Sequence, residues 1–500
     1  MSEFLSVPVE LLIFVFHSLT GHLTGQFEAR STEKEDFEHF DPEDTISQEF
    51  DGSQNCTGSR DSWKRNRPPM KDSLKKSAWF SAWVTVFGGV VGIGALFLMY
   101  YIISIVYTCE WKKLKDPSYP EKLKRRRIIG ESYQSFFLYF WQPALLLMVF
   151  KWSILKEVNL MIVTLVGASI DLGYRFLLAV YDLYFPPWIP YPLNFLFITV
   201  VFISNFSISR NIFKTNPFGA RFLTIKLGVQ FIVGAPVFYI CGYVLFPWFA
   251  HQEGFIKVAI LALGFLIVIL PKVVSKECVL RLNGVNHPGT SYVLVSAAST
   301  GCSIVYRFMQ AEFKSLLAFI TVSIGHGLIH LLFELITVLK EHRSEKIHNQ
   351  KILYSELDHD SRGRSNAAYM STPRSQRLAA DMAIHEMMSN EAAIVLSVGI
   401  IQIYGFIHLN LSVEKYEEMF LELVARIVSA LFIEFLFNIL SVMILTRKRN
   451  VPVLRVWSFK WKSHLIVCII TVVMSVTYFT NKVLVIIRAQ YVAEGKITTE

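Results

Sequence analysis

Cysteine pairs are missing from this chain. Its six cysteines, Cys56, Cys109, Cys241, Cys278, Cys302 and Cys468, stand far apart with no CxxC spacing, which argues against a disulfide scaffold or a zinc knuckle. Nucleotide and hydrolase signatures are missing too: there is no Walker A loop, no GxSxG elbow, no HExxH and no dinucleotide fingerprint. These absences leave the cofactor unknown. Charge is scarce, with 18% of residues charged against 53% hydrophobic. The formal net charge of +9 sits largely beside apolar runs, where basic residues report membrane topology, so no nucleic-acid partner is expected.

What is present is apolar sequence in blocks. They run at 79–107, 132–150, 158–181, 191–209, 222–247, 254–274, 290–306, 315–339, 391–411, 418–446 and 464–487, long enough to span a bilayer rather than to form amphipathic core helices. The 40 Phe, 20 Tyr and 10 Trp suit lipid-facing surfaces and headgroup boundaries. The expected class is an all-α, polytopic integral membrane protein in the plasma membrane or an endomembrane, with about ten transmembrane helices in a range of roughly nine to eleven. No retrieval signal is evident in Lys496-Ile-Thr-Thr-Glu500.

The chain divides accordingly. Residues 1–27 read either as a signal peptide without its basic n-region or as a surface-lying helix. Residues 28–78 form a tail, first acidic and then basic. Its stretch 28–61 carries eleven acidic and three basic residues, too polar to bury a core, and is expected to be disordered. Asn55-Cys56-Thr57 is a glycosylation sequon in that tail. Two transmembrane parts, 79–339 and 391–487, flank a polar connection at 340–390, and 488–500 is a short C-terminal tail. In the first span, Gly88 and Gly92 have GxxxG spacing for close helix packing.

Topology follows from the basic loops. The connection 340–390 has eight Lys/Arg and 447–462 has six with no acid, so both should be cytoplasmic, with Glu414, Glu417 and Glu418 on the far side. Eight Lys/Arg at 112–127 argue for a cytoplasmic flank there too. Seven apolar blocks then separate two cytoplasmic loops, and an odd number cannot. Treating 132–150 as re-entrant, broken at Trp141-Gln142-Pro143, restores parity and predicts ten spans with both termini non-cytoplasmic. The competing solution keeps 132–150 as a span, puts the N-terminus in the cytoplasm and exposes 112–127 outside.

Ionisable residues inside apolar blocks are functional candidates by default. His326, His330 and Glu334 fall at i, i+4 and i+8 on one helix face, a pattern suited to a proton or cation site, since imidazole titrates near neutrality. A packing seam is the alternative. A shared metal is disfavoured, because Glu334 lies about 12 Å along the axis from His326. Glu434 lies deep in the block 418–446 and wants a basic partner, which His330 or His408 could supply. Glu422 with Arg426, and Asp171 with Arg175, have the spacing of neutralising ion pairs with structural roles. A short ungapped likeness aligns Ile329-His-Leu-Leu-Phe-Glu-Leu with Ile433-Glu-Phe-Leu-Phe-Asn-Ile, of a kind that apolar helices also show by composition.

The 340–390 connection carries Ser365 after Arg-Gly-Arg, Thr372 before Pro, and Ser375, contexts in which phosphate could pair with the neighbouring arginines. Its end, Leu378 to Glu391, has helical spacing. The His326-x-x-x-His330 pair lacks the adjacent histidines that membrane desaturases and hydroxylases carry in further boxes. The leading expectation is a proton- or cation-linked transporter or channel with an intramembrane His/Glu site, its cargo an inorganic cation or a proton. The others are a receptor or scaffold acting through a cytoplasmic partner of 340–390, and an intramembrane metal-dependent enzyme.

Overall fold

The computed structural model describes residues 46, 48–50, 66–106, 121–150, 152–181, 190–214, 216–280, 288–313, 315–355, 373–408 and 413–493. Asn55, Ser365 and Thr372 lie outside them, as do residues 1–45 with the signal-peptide expectation. Eleven long helices are described: α1 Met70–Val106, α2 Glu121–Val149, α3 Leu160–Val180, α4 Pro190–Ile212, α5 Pro217–Ile240, α6 Gly254–Leu280, α7 Val293–Ala311, α8 Leu316–Ser355, α9 Pro373–His408, α10 Val413–Arg449 and α11 Val453–Ala493. Eight helices are long and apolar enough to cross a membrane, and the protein is an integral membrane protein. Its predicted all-α character holds throughout the described residues.

One helix forms the centre. The most apolar window of α9 is 89% buried, against 22–39% for the other seven candidate spans, so α9 is walled in while its neighbours face outward. It begins at Pro373, and Ser375 therefore sits in its first turn rather than in a loop. Pro is favoured there because the first helical amides have no partner to lose. α1 lies along α9 in the same direction: Gly88 faces Met388 and Glu391, and Gly92 faces Ala392 and Val395. The absence of a Cβ on Gly88 and Gly92 sets this approach.

The ends of the helices sort the charges. Arg447, at the end of α10, donates to Pro68 O at 2.6 Å and to Ser73 Oγ at 2.8 Å. The start of α1 therefore shares one end of the bundle with the basic turn 447–455. Glu334 meets Arg449 there too, as the basic-loop reading of 340–390 and 447–462 requires.

The course of 121–149 corrects the re-entrant expectation. It is one continuous 29-residue helix with Pro143 inside it. Gln142 beside that proline donates to Asn205 Oδ1 at 2.8 Å and to Val201 O at 3.4 Å, so neighbouring helices hold the polar groups around the break. Gln134, in its first half, reaches Thr477 O, far along α11 from the basic end. α2 thus runs from the opposite end back toward the basic one, and it is not one of the eight described helices long and apolar enough to cross a membrane. Of the basic residues at 112–127, Arg127 is no loop charge: it is buried and bridges Glu131 at 3.1 Å inside α2.

A short piece of the acidic tail, residues 46 and 48–50, is described. Part of it docks on the α10–α11 turn, where Asn450 adopts a left-handed conformation with φ of 54°, a region that asparagine tolerates. Glu49 N donates to Asn450 O at 3.1 Å, and Phe50 N to Asn450 Oδ1 at 2.7 Å. The Arg455 amide donates to Glu49 Oε2 at 3.3 Å, and Ile46 is buried in the main core. Burial pushes the Glu49 carboxyl up to about 7, against the opposing pull of the Arg455 and Leu454 amides and of the Arg455 and Lys76 charges. A raised carboxyl favours docking while protonated, so docking is firmest below the ordinary carboxylate range and weakens as pH rises through about 7.

Two outcomes are expected. Amide protection of Glu49 and Phe50, measured by hydrogen exchange from about pH 5 to 8, should fall with rising pH, and Glu49→Gln should flatten the profile. In detergent unfolding, Gly88→Ala should cost about 1–3 kcal/mol, because its Cβ would stand 2.7 Å from Met388 O. Gly89→Ala, with nothing within 4 Å, should not destabilise.

Candidate functional site

The polar interior gathers where α7, α8, α9 and α10 meet. Arg307 of α7 is 2% exposed and is bridged to Glu434 of α10, itself 4% exposed. An isolated charge at this depth would cost several kcal/mol, so each requires the other. The second arm of the guanidinium donates to Gln310 Oε1 at 2.6 Å, and Gln310 in turn donates to Ser323 of α8. Three helices are thereby tied through one cation.

His326 of α8 closes the cluster. Its Nδ1 stands 3.2 Å from Arg307 Nη2 and 3.2 Å from Glu434 Oε1. A guanidinium only donates and a carboxylate only accepts, so Nδ1 serves one of them at a time. Without a proton it accepts from Arg307. With one it donates to Glu434. The Tyr306 ring stacks on the imidazole at 4.6 Å between centroids, and Phe265 meets it edge-on at 6.0 Å; together they hold the ring plane while the proton is free to change.

Glu391 of α9 lies beside this cluster and interacts electrostatically with both Glu434 and Arg307. It is 0% exposed. Its Oε1 accepts from Thr85 of α1 at 2.9 Å and from Asn438 of α10 at 3.0 Å, while Oε2 has no hydrogen-bond partner. Among the described residues, no ion pair reaches it. A buried carboxyl held by neutral donors on one oxygen, with the other oxygen bare, is arranged to take a proton.

The predicted stripe on α8 is divided among different partners. His326 goes to Arg307 and Glu434. His330 lies 3.7 Å from Glu386 of α9, which Lys272 of α6 also bridges. Glu334 lies 3.3 Å from Arg449. The stripe is therefore three stations rather than one site, and among the described residues no group of three His, Cys, Asp or Glu could hold a metal ion. Glu434 takes His326 and Arg307 as partners, not His330. The side chain of His408 lies outside the described part.

The other candidates are placed as connectors. Asp171 and Arg175 pair at 2.6 Å, and Asp171 also accepts from Ser135 and Tyr139 of α2. Arg426 pairs with Glu422 at 2.9 Å and donates to Ala311 O and Phe313 O, capping the end of α7.

Sequence reasoning missed half of the interior. Arg307 fell one residue beyond the block ending at 306, and Arg377, Asp381, His385, Glu386 and Glu391 fell before or at the start of the block opening at 391. Arg377, Asp381 and His385 are spaced i, i+4 and i+8, the same signal that marked α8. Asp381 is bridged by Arg377 at 2.8 Å and stands 3.1 Å from His464 Nε2 of α11, and His385 meets Thr300 of α7 at 3.1 Å.

No family model matches this chain, and neither a curated relative nor a solved structure matches it. The function must be argued from the site.

Arg307→Met should destabilise the protein by about 3–5 kcal/mol, since it strands the Glu434 charge, and Arg307→Met with Glu434→Met should cost less than that single change. Chemical unfolding of the single and double variants in detergent measures the difference. Equal losses would mean that the pair is not mutually dependent.

Proposed function

We propose that the protein is a proton-linked membrane transporter whose proton site is Glu391 together with the Glu434–His326–Arg307 cluster. The observation that carries this reading is the Glu391 carboxyl, fully buried, in no ion pair among the described residues and with its Oε2 unpartnered. Intramembrane carboxyls in this condition are kept at a cost in stability and mark proton relays.

The chemistry has two stable arrangements. With His326 Nδ1 bare, Arg307 is shared between His326 and Glu434, and Glu391 holds the proton. When the proton sits on His326, the imidazole turns to Glu434, and Arg307 is freed to face the charge left on Glu391. Moving one proton therefore changes which helices are tied: α7 with α8 in the first state, α7 with α9 in the second. Alternating ties of this kind are what coupling of a proton to a cargo requires. The cargo class is an inorganic cation or the proton itself.

A receptor or scaffold working through a partner of the 340–390 connection is the second reading. It is favoured by the pairing of His330 with Glu386 and of Glu334 with Arg449, which a static packing seam would also show.

Purified protein in liposomes with an internal pH dye should carry a proton flux that Glu391→Gln abolishes while its unfolding transition stays near that of the wild type. Wild-type flux that persists in Glu391→Gln would contradict the reading. A silent wild type with intact folding would favour the receptor or scaffold.

A further inference from the structure

A face of α1 leads from the basic end of the bundle to Glu391. Ser73, Ser77, Ser81 and Thr85 recur every four residues, so they line one side of the helix. Ser73, Ser77 and Ser81 are all buried. The two ends of the run are anchored: Arg447 donates to Ser73 Oγ at 2.8 Å at the basic end, and Thr85 donates to Glu391 Oε1 at 2.9 Å in the interior. On the facing helix α10 the matching stretch runs from Arg447 back to Asn438, which donates to the same Glu391 oxygen. Ser441, buried, lies between them on α10.

The hydroxyls in the middle of this run are exceptional. Thr164, Ser204, Ser209, Thr224, Thr446 and Ser475 all satisfy their hydroxyls by donating to the carbonyl four residues back, as serine and threonine in apolar helices normally do. Ser77, Ser81 and Ser441 do not: each Oγ is buried without a partner, as is Glu391 Oε2. Among the described residues one further buried hydroxyl is in that condition, Ser275 on α6. Three of four thus fall on one path, and that path ends at the Glu391 carboxyl, whose Oε1 takes Thr85 and Asn438 and whose Oε2 is bare.

We propose that this hydroxyl seam between α1, α9 and α10 is the route by which protons reach Glu391 from the basic end. The inference rests on the reading of Glu391 as a proton site and adds its access. Hydroxyls four residues apart on a helix are about 6 Å from one another along the axis. One bridging water spans that step, and buried polar groups lacking protein partners are where ordered waters are held. A hydroxyl donates and accepts at once, so a proton passes along such a file by exchange of hydrogen bonds, each oxygen taking one proton and releasing another. Arg447 at the mouth favours water over free cations. Close packing of α1 on α9 alone would be met by alanine at these positions, as it is by glycine at 88 and 92.

The test has two readouts on the full chain. Ser77→Cys and Ser81→Cys should be modified by a small water-soluble methanethiosulfonate about tenfold faster than Ile208→Cys, as access of water to a thiolate dictates. Ile208 is equally buried but stands on α4, outside the seam, and peptide mapping by mass spectrometry separates the sites from the native cysteines. Ser81→Val with Ser441→Val should lower liposome proton flux toward that of Glu391→Gln, whereas the same pair changed to Thr, which has the shape of valine but keeps both hydroxyls, should retain it. Equal labelling at 77, 81 and 208 would overturn the seam. So would wild-type flux in the valine variant beside a silent Glu391→Gln, an outcome that leaves Glu391 as the proton site. A silent wild type would overturn the proton site itself and the route with it.

Discussion

A carboxylate in an apolar interior must have a cation, a proton or a set of donors, and the arrangement of this bundle follows from that requirement. Glu434 has Arg307, Asp381 has Arg377, and Glu386 has Lys272. Each pair joins or braces helices that packing alone would leave free to slide, because apolar side chains are no better satisfied against one another than against lipid. α9 contributes carboxylates to several of these stations and is correspondingly the most enclosed helix. Glu391 is the exception that the pairing rule exposes, and it lies at the junction of α1, α9 and α10.

The same rule explains where α8 stands. It presents His326, His330 and Glu334 at successive turns, each to a different neighbour. A helix held at three points by groups of which two are histidines is held by proton occupancy as well as by packing. The docked segment at 46–50 adds a tie at the basic end, on the turn joining α10 to α11, so that the two ends of α10 are constrained by different chemistry: Arg426 at one end, Asn450 and Glu49 at the other.

The class of fold was readable because lipid imposes it: blocks of apolar residues long enough to span admit only helices. Much of the charge sorting was readable as well, since 447–462 and 340–390 carry their basic residues at one end. What could not be read was which charges are loops and which are bundle. Arg127, which reads as a loop charge, is paired with Glu131 inside α2, and Arg307 was missed because it lies one residue beyond the apolar block ending at 306 and its partner Glu434 is distant in sequence. The α8 stripe was found by spacing, but spacing is silent on partners; His326 and Glu334 meet α10 at its middle and its end, and His330 meets α9. The hydroxyls of α1 gave no signal, because a buried serine is remarkable only once its carbonyl four residues back is seen to be unused.

The central claim is that Glu391 exchanges a proton inside the bundle, and infrared difference spectroscopy of a pH step on the reconstituted protein tests it directly. The account predicts a carboxyl C=O band that changes with the step, shifts in D2O and is absent from Glu391→Gln. A difference spectrum in which Glu391→Gln retains every carboxyl band of the wild type would contradict it.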